Sequence, residues 1–528
     1  MAMTRSSGFK VGMGIAIAAL AGSQKAAAQT PMLSVDPSQL PRLGTIDERF
    51  QSYNVEMVEV TGGRFWKPYR ASASAPSAHG AVNAGNVPAG GNPDLYEYRK
   101  PVDLSNRRLR ALAAALAPAY MRVSGTWANT TYFAESDEAP STPPNGFRAV
   151  LSRERWKAVI DFARAASAEI ITSMATGPGV RDAAGLWQSD QARRFFAYTR
   201  SVGGRIAAAE FMNEPTLAAM GGAPRGYDAT AYGRDFKAFI AFIRASEPDV
   251  MVLGPGSIGE TAAPQSSRPS SSEFINTRDL LAASGSGIDV FSYHHYGAVS
   301  QRCSPGQTTP EAAVSEAWLA STDRTRAFYQ SLRDEFAPDK PIWLTETAEA
   351  ACGGNPWAST FLDTFRYLDQ LGRLARAGVQ MVAHNTLAAS DYGLLDETTL
   401  RPRPNYWAAL LWRRVMGTIV LDAGVHQGVH LYAHCRRGIR GAVTLLAINT
   451  DRTTAAILRL PVASERYTLS ADHLQSAEVK LNGAALELAP NDDLPRLAAV
   501  TSPPGPVEIG PTTITFLDVG DAKNPACD

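Results

Sequence analysis

Residues 207–214 read AAAEFMNE, residues 229–246 read ATAYGRDFKAFIAFIRAS, and residues 250–257 read VMVLGPGS. The first and last are short apolar runs, while the middle segment repeats its apolar residues every three or four positions. A strand buried on both faces, an amphipathic helix and a second buried strand make a unit whose strands run parallel. The same texture recurs along the chain. Strand-like runs occupy 52–60, 119–125, 169–176, 207–214, 250–257, 288–296, 341–348 and 379–387. Helical patterns fill 104–118, 153–167, 189–203, 229–246, 310–336 and 359–378, and another follows at 403–417. This alternation predicts an α/β fold, a (β/α)8 TIM barrel. A doubly wound open sheet is the alternative, but no glycine-rich phosphate loop follows the first strand.

Beyond Gly417 the texture changes to short alternating runs such as VHLYAHC, AVTLLAINT, AAILRLPV and TTITFLDV, bounded by Gly, Pro, Asn and Asp. These predict a C-terminal antiparallel β-sandwich domain. With 528 residues the chain exceeds what one hydrophobic core serves. The expected division is a signal peptide at 1–28, a segment at 29–50 adding a strand to the sandwich, the barrel at 51–417 and the sandwich at 418–528. Arg5 and Lys10, an apolar run from Val11 to Gly22, and the small residues Ala26–Ala28 are ordered as in a secretory leader. Cleavage near Ala28 is expected, giving a secreted or periplasmic protein. No later run approaches the ~20 apolar residues of a membrane helix, so membrane insertion is not expected.

Lys and Arg together number 51, as do Asp and Glu. No overall field points to nucleic acid or an anionic membrane, and no nucleic-acid partner is expected. The cysteines, Cys303, Cys352, Cys435 and Cys527, lack the CxxC spacing of zinc or redox sites and fit disulfides in an oxidising compartment.

Catalytic residues of such barrels come from the C-terminal ends of strands. There the fourth run ends in Asn213-Glu214, the sixth in His294-His295-Tyr296, and the seventh carries Glu346; the first carries Glu56 and Glu59. Two glutamates on strands four and seven face each other across the mouth. A pair about 5 Å apart suits retaining glycoside hydrolysis. Glu346 would stay ionised and attack, while Glu214 would hold a proton, its affinity raised by the neighbouring charge. Asn213 would bond the sugar 2-hydroxyl. Adjacent histidines beside carboxylates resemble metal ligands, yet neighbours on a strand point to opposite faces, and neither metal nor cofactor is expected. One histidine, taken as His295, would face the mouth. Among the aromatics Trp127, Tyr132, Trp357, Tyr392 and Trp407, Tyr392 is the expected sugar contact, the others being core. Glu210 shares the mouth's side of its strand with Glu214, its role open.

At these residues the sequence resembles glycoside hydrolase family 79, the clan A group containing heparanase and bacterial β-glucuronidases. The likeness runs through APAYMRVSGTWANTTYF, EFMNEPT, FSYHHY, WLTETAEAACGG, ASDYGLLDE, PNYWAALLW and LYAHC followed by LLAINT. It implies Glu214 as acid/base and Glu346 as nucleophile, agreeing with the reading from the residues. It also implies that Glu56 binds sugar hydroxyls and Thr126 lies near the uronate. Gly353 and Gly354 would present backbone N–H groups to the uronate carboxylate, with Tyr392 assisting, since glycine lets donors approach an anion closely. Gly297 stands where animal heparanase has a tyrosine, and one extra residue precedes the glycine pair, which puts contacts beyond the cleaved bond in doubt. The short segment between strands two and three implies a single chain with no excised linker, and a monomer is expected. Cys435 and Cys527 match positions joining the β-module to the chain end, and Cys303 with Cys352 would form a second bridge.

The sequence therefore predicts a retaining hydrolase acting on a glycan or glycosaminoglycan containing glucuronic acid, endo- or exo-acting. A neutral-sugar clan A glycosidase and a non-catalytic carbohydrate-binding protein are the alternatives. The Gly/Ala/Pro/Ser-rich loop 71–93 would close one end of the cleft if it folds over the mouth, and Arg64, Lys67, Arg70 and Arg122 are candidates to line the cleft for an anionic chain.

Overall fold

The runs of Val, Ile, Leu and Ala form strands because both of their faces are covered. In this computed structural model, which describes residues 32–69, 87–88, 91–260 and 274–528, eight of them close into a barrel. They are β1 (Gln51–Glu56), β2 (Ala119–Ser124), β3 (Ala168–Ser173), β4 (Ile206–Glu210), β5 (Met251–Ser257), β6 (Val290–Tyr296), β7 (Ile342–Ala348) and β8 (Met381–His384). Each pairs in parallel with its sequence neighbours, and β8 closes onto β1. The expected leader, Arg70, and most of the loops after β1 and β5 lie outside the described residues. Among the described residues no helix is long and apolar enough to cross a membrane.

The outer helices are α1 (Arg107–Ala114), α2 (Arg153–Ala165), α3 (Asp190–Ser201), α4 (Ala229–Ser246), α5 (Thr277–Ser284), α6 (Ser321–Phe336), α7 (Phe361–Arg376) and α8 (Pro404–Val415). Side-chain caps start several of them: Asn106 accepts from Leu109 N, Ser152 from Arg155 N and Asp228 from Ala231 N. Tyr120, Ile171, Ala208, Leu253, Val290, Trp343 and Met381 form a separate buried cluster. Arg122 lies two residues beyond Tyr120 and so on the same side of β2, above that apolar plug.

Two strands end earlier than their sequence pattern suggests. The apolar run of β1 continues to Val60, but the backbone turns at Glu56 into a short helix, Met57–Thr61. A reciprocal cap drives the turn: Glu59 accepts from the Glu56 backbone N–H at 2.8 Å, and the Glu56 side chain caps in return. Likewise β4 ends at Glu210, so Asn213 and Glu214 sit in the following turn, with Glu214 at φ 50°.

The C-terminal module stacks a nine-stranded sheet on a three-stranded one. The larger sheet includes Met416–Leu421, His430–Arg436, Val443–Asn449, Thr513–Val519 and Ser464–Ser470. The N-terminal segment joins both sheets, with Arg42–Thr45 antiparallel to Met416–Leu421 and Met32–Ser34 parallel to Ala456–Leu460. Leu431, Ala433, Val443, Leu445, Leu458, Val507 and Leu517 fill the space between the sheets. On the other face Tyr432, Leu446, Ile448, Ile514 and Phe516 merge with the barrel's own core. Cys435 and Cys527 are joined by a disulfide.

Candidate active site

A buried cation organises the floor of the mouth. Arg122, on β2, is 1% exposed. Its Nε and Nη2 donate to Glu210 Oε2 at 3.0 and 2.8 Å, its Nη1 donates to Glu346 Oε2 at 2.9 Å, and Nη2 also reaches Asn213 Oδ1 at 2.7 Å. Burial works against the charged guanidinium, but Glu210 and Glu346 outweigh it and keep it protonated. Glu210 thus supports the site through Arg122. Asn129 fixes the turn from the other side, its Nδ2 donating to Asn213 O at 3.0 Å and its Oδ1 accepting from Asn213 N at 2.9 Å.

Above this floor stand the two glutamates. His294 Nδ1 lies 3.0 Å from Glu214 Oε1 and 3.7 Å from Glu346 Oε2. The Tyr296 hydroxyl donates to Glu346 Oε1 at 2.7 Å. One oxygen of each carboxylate and one nitrogen of His294 lie within 4.8 Å of one another. A divalent cation could bridge such a triad; here Glu346 is paired with Arg122, and His294 bonds Glu214. The two carboxyls are driven apart. Burial, then the Glu346 charge, raises Glu214 above the ordinary glutamate range against an opposing bond to His294. Burial also pushes Glu346 up, yet His294, Arg122 and the Tyr296 hydroxyl outweigh it and hold Glu346 low. Glu214's left-handed backbone is strained for a non-glycine residue, a cost of ~1–3 kcal/mol that concentrates at functional sites.

Around the pair lies a polar wall. Glu56 is 4% exposed, and its Oε1 accepts from Asn385 Nδ2 at 3.1 Å. Burial, reinforced by Glu346, raises its carboxyl well above the usual range. Gly125 is obligatory beside it, because a Cβ there would fall 1.5 Å from Glu56 Oε2. Thr126 follows directly in a short 3-10 turn. Gly353 and Gly354 have φ of 81° and 82°, and a Cβ on Gly353 would fall 2.6 Å from the Trp66 Cβ. Their carbonyls are tied down by Ser390 Oγ at 3.0 Å and Ser300 Oγ at 2.7 Å, and Gly354 N donates to Ala350 O at 3.2 Å. Tyr392, 2% exposed, stands beside Gly354 and lies 3.2 Å through its hydroxyl from Asn385 Nδ2.

The sequence profile for glycosyl hydrolase family 79, N-terminal domain, matches residues 101–372. The chain belongs to glycoside hydrolase family 79. Heparanase of Bos taurus is 27% identical over 487 residues, covering 80% of this chain and 86% of that protein. A baicalin-β-D-glucuronidase of Scutellaria baicalensis is 25% identical over 497 residues, covering 84% and 88%. Among solved structures, the GH51 arabinofuranosidase of Xanthomonas axonopodis pv. citri superposes with a TM-score of 0.60 at 16% identity, over 92% of this chain and 99% of that one. That likeness speaks to the barrel fold, and family membership makes the chain a glycoside hydrolase.

Three expectations from the sequence of this family 79 chain are corrected by the structure. His294, and not His295, faces the pair. Alternation along β6 sends His294 and Tyr296 inward and buries His295 on the outer side, where burial and then Arg366 and Arg324 lower it to about 3. Arg122 is spent beneath Glu346 and does not line a cleft for sulfates. Cys303 and Cys352 are free thiols, so the expected second bridge is not formed in this structure. Trp127, Trp357 and Trp407 are buried in hydrophobic clusters. Tyr296, given in the sequence only as the end of the sixth run with no role of its own, bonds the nucleophile, and Asn129 and Asn385 carry no chemical signal in the sequence.

Proposed function

We propose that this glycosidase is an exported retaining β-glucuronidase. Glu346 attacks the anomeric carbon while Glu214 gives its proton to the leaving oxygen, forming a glycosyl-enzyme ester. Water then attacks the same carbon, Glu214 takes the water's proton, and Glu346 leaves as carboxylate. The observation that carries this reading is the pair itself. One oxygen of each carboxylate lies within 4.8 Å of the other and their protonation tendencies oppose each other, in keeping with the ~5–5.5 Å carboxyl separation of retaining enzymes. Arg122 holds Asn213 by its carbonyl, which leaves the Asn213 NH2 to meet the sugar 2-hydroxyl.

The glucuronide preference is supported by the similarity to heparanase and to baicalin-β-D-glucuronidase, together with Gly353 and Tyr392 beside the nucleophile strand, while the Gly354 N–H is already given to Ala350 O, so the two glycines do not both offer a free backbone donor. Glu56 and Thr126 complete the wall that would hold the sugar ring.

Contacts from the start of the loop after β1 support removal of a terminal residue. Tyr69 OH shares a 2.7 Å bond with Ser300 Oγ, Tyr69 N donates to Asp391 Oδ2 at 3.2 Å, and the Arg302 guanidinium lies 3.9 Å from the Tyr69 ring centroid. Arg302 also pairs with Asp391 at 2.8 Å. This clamp ties the loops after β1, β6 and β8 together, and at one end of the mouth it would stop a chain from continuing there.

The test offers aryl β-glucuronide, aryl β-glucoside and heparan sulfate to the wild type and to Glu346→Gln. Turnover of the glucuronide and its loss in the variant, by at least ~10³-fold, are expected. Glucoside turnover without glucuronide turnover would sink the uronate assignment. Internal cleavage of heparan sulfate would sink the terminal mode.

A further inference from the structure

Asn385 follows β8 and is 1% exposed, with its backbone N–H donating to Thr347 O on β7 at 2.8 Å. Its side-chain nitrogen lies within reach of three oxygens: Tyr296 OH at 3.0 Å, Glu56 Oε1 at 3.1 Å and Tyr392 OH at 3.2 Å. An amide NH2 has two protons to give. The Tyr296 hydroxyl has already committed its proton to Glu346 Oε1, so it must accept from Asn385. Glu56 Oε1 takes the second proton. The Tyr392 hydroxyl is then left with its own proton to direct elsewhere. The amide is not turned over, because its carbonyl would then face the Tyr296 oxygen, whose proton is already given to Glu346.

The carbonyl Oδ1 of Asn385 is buried with no hydrogen-bond partner. An unmet buried acceptor is destabilising, and an apolar residue of similar size would avoid it. Packing therefore does not account for an asparagine here.

We infer that Asn385 is a positioning residue of the hydrolytic site: its NH2 aims the Tyr296 hydroxyl at Glu346 and reserves the Tyr392 hydroxyl proton for the bound sugar. This rests on Glu346 being the nucleophile. Glu346 is faced by Arg122 from β2, by His294 and Tyr296 from β6, by Glu214 from the turn after β4 and by Glu56 from β1. Asn385 reaches this group through Tyr296, so its loss weakens the bond that favours the ionised carboxylate.

The experiment records kcat and kcat/KM against pH for wild type, Asn385→Ala, Asn385→Asp and Tyr296→Phe on an aryl β-glucuronide. In Asn385→Ala the acidic limb of kcat/KM moves up by about one pH unit, the worth of one hydrogen bond, and kcat falls about tenfold. Asn385→Asp keeps the shape but replaces the donor with an acid beside Glu56, so its limb moves further. Adding Asn385→Ala to Tyr296→Phe moves the limb no further than Tyr296→Phe alone. An unmoved limb in Asn385→Ala, or additive shifts in the double variant, overturns the inference; the alanine series decides alone should Asn385→Asp fail to fold. If the wild type spares the glucuronide but cleaves another aryl β-glycoside, the series is run on that substrate. Such a result would end the uronate reading and leave Asn385 to be judged on the same limb.

Discussion

Arg122 shows how a single buried charge sets the chemistry of the residues above it. It is surrounded by Glu210, Glu346 and Asn213 and has almost no solvent to fall back on. Arg122→Met would strand two buried carboxylates, and we expect a loss of about 3–5 kcal/mol in chemical unfolding. The surviving fold should show the acidic limb of activity displaced upward, because Glu346 loses a cation that holds it ionised. For the wild type the sign follows from the two glutamates. Activity rises with pH as Glu346, held below its ordinary value of 4.5, gives up its proton, and falls as Glu214, held above it, loses its own. The plateau should therefore span 4.5. In Glu346→Gln one contribution to the raised Glu214 value disappears, so carbon-13 titration should find Glu214 lower but still above normal, burial being the larger cause. A Glu214 carboxyl unchanged in that variant would argue against direct coupling of the pair. The sequence made Glu214 and Glu346 legible because strand ends advertise themselves. It misplaced Arg122, since a lone arginine in AYMRVSG reads equally as a surface charge or as a buried one with partners far away in sequence.

At the scale of the strand, alternation decides more than proximity does. His294 and His295 are neighbours in the chain, yet one touches both glutamates and the other is buried away from them. His294→Ala should cut kcat by about 10²-fold with a small change in unfolding midpoint. His295→Ala should cost about 1–3 kcal/mol of stability and leave kcat within a fewfold. Equal kinetic damage from both would mean the inward and outward assignments of β6 are wrong. The pattern of apolar residues revealed each strand but not its last rung. Both β1 and β4 stop early because local groups take over from the ladder: the Glu56–Glu59 cap turns the chain after β1, and Asn129 with the left-handed Glu214 shapes the turn after β4. Glu59 lies only three residues from Glu56 but inside an apolar run, and Asn129 lies 84 residues from Asn213, so neither leaves a periodic trace. Gly125 is the exception that sequence could have supplied, as a glycine at φ 90° directly after an apolar strand marks close approach by something, here the Glu56 carboxylate.

At the scale of the whole molecule, barrel and β-module share a core. Tyr432, Leu446, Ile448 and Phe516 belong to the same buried cluster as the residues of α7 and α8, and the Phe361 N–H donates to Ser476 O across the boundary. The alternation of strands and helices made the barrel legible, whereas the face the module turns to it depends on contacts such as Tyr432 against Gly372, which no local pattern encodes. The bridge between Cys435 and Cys527 closes 92 residues of that module. For a loop of this length the chain-entropy account gives about 4–5 kcal/mol of stabilisation, exerted on the unfolded chain. The double variant Cys435→Ser/Cys527→Ser should unfold at lower denaturant. Because the core is continuous, the barrel should lose structure in the same transition, with tryptophan fluorescence and far-UV circular dichroism changing together. Below that transition kcat/KM on a small aryl glycoside should be unchanged, since among the described residues those bonded to the glutamate pair, Arg122, His294 and Tyr296, come from the barrel. An early step confined to the module would separate the two units. Lost turnover in the still folded variant would mean the module shapes the mouth directly, and the hydrogen bonds from Arg122, His294 and Tyr296 would not be sufficient to hold the glutamate pair.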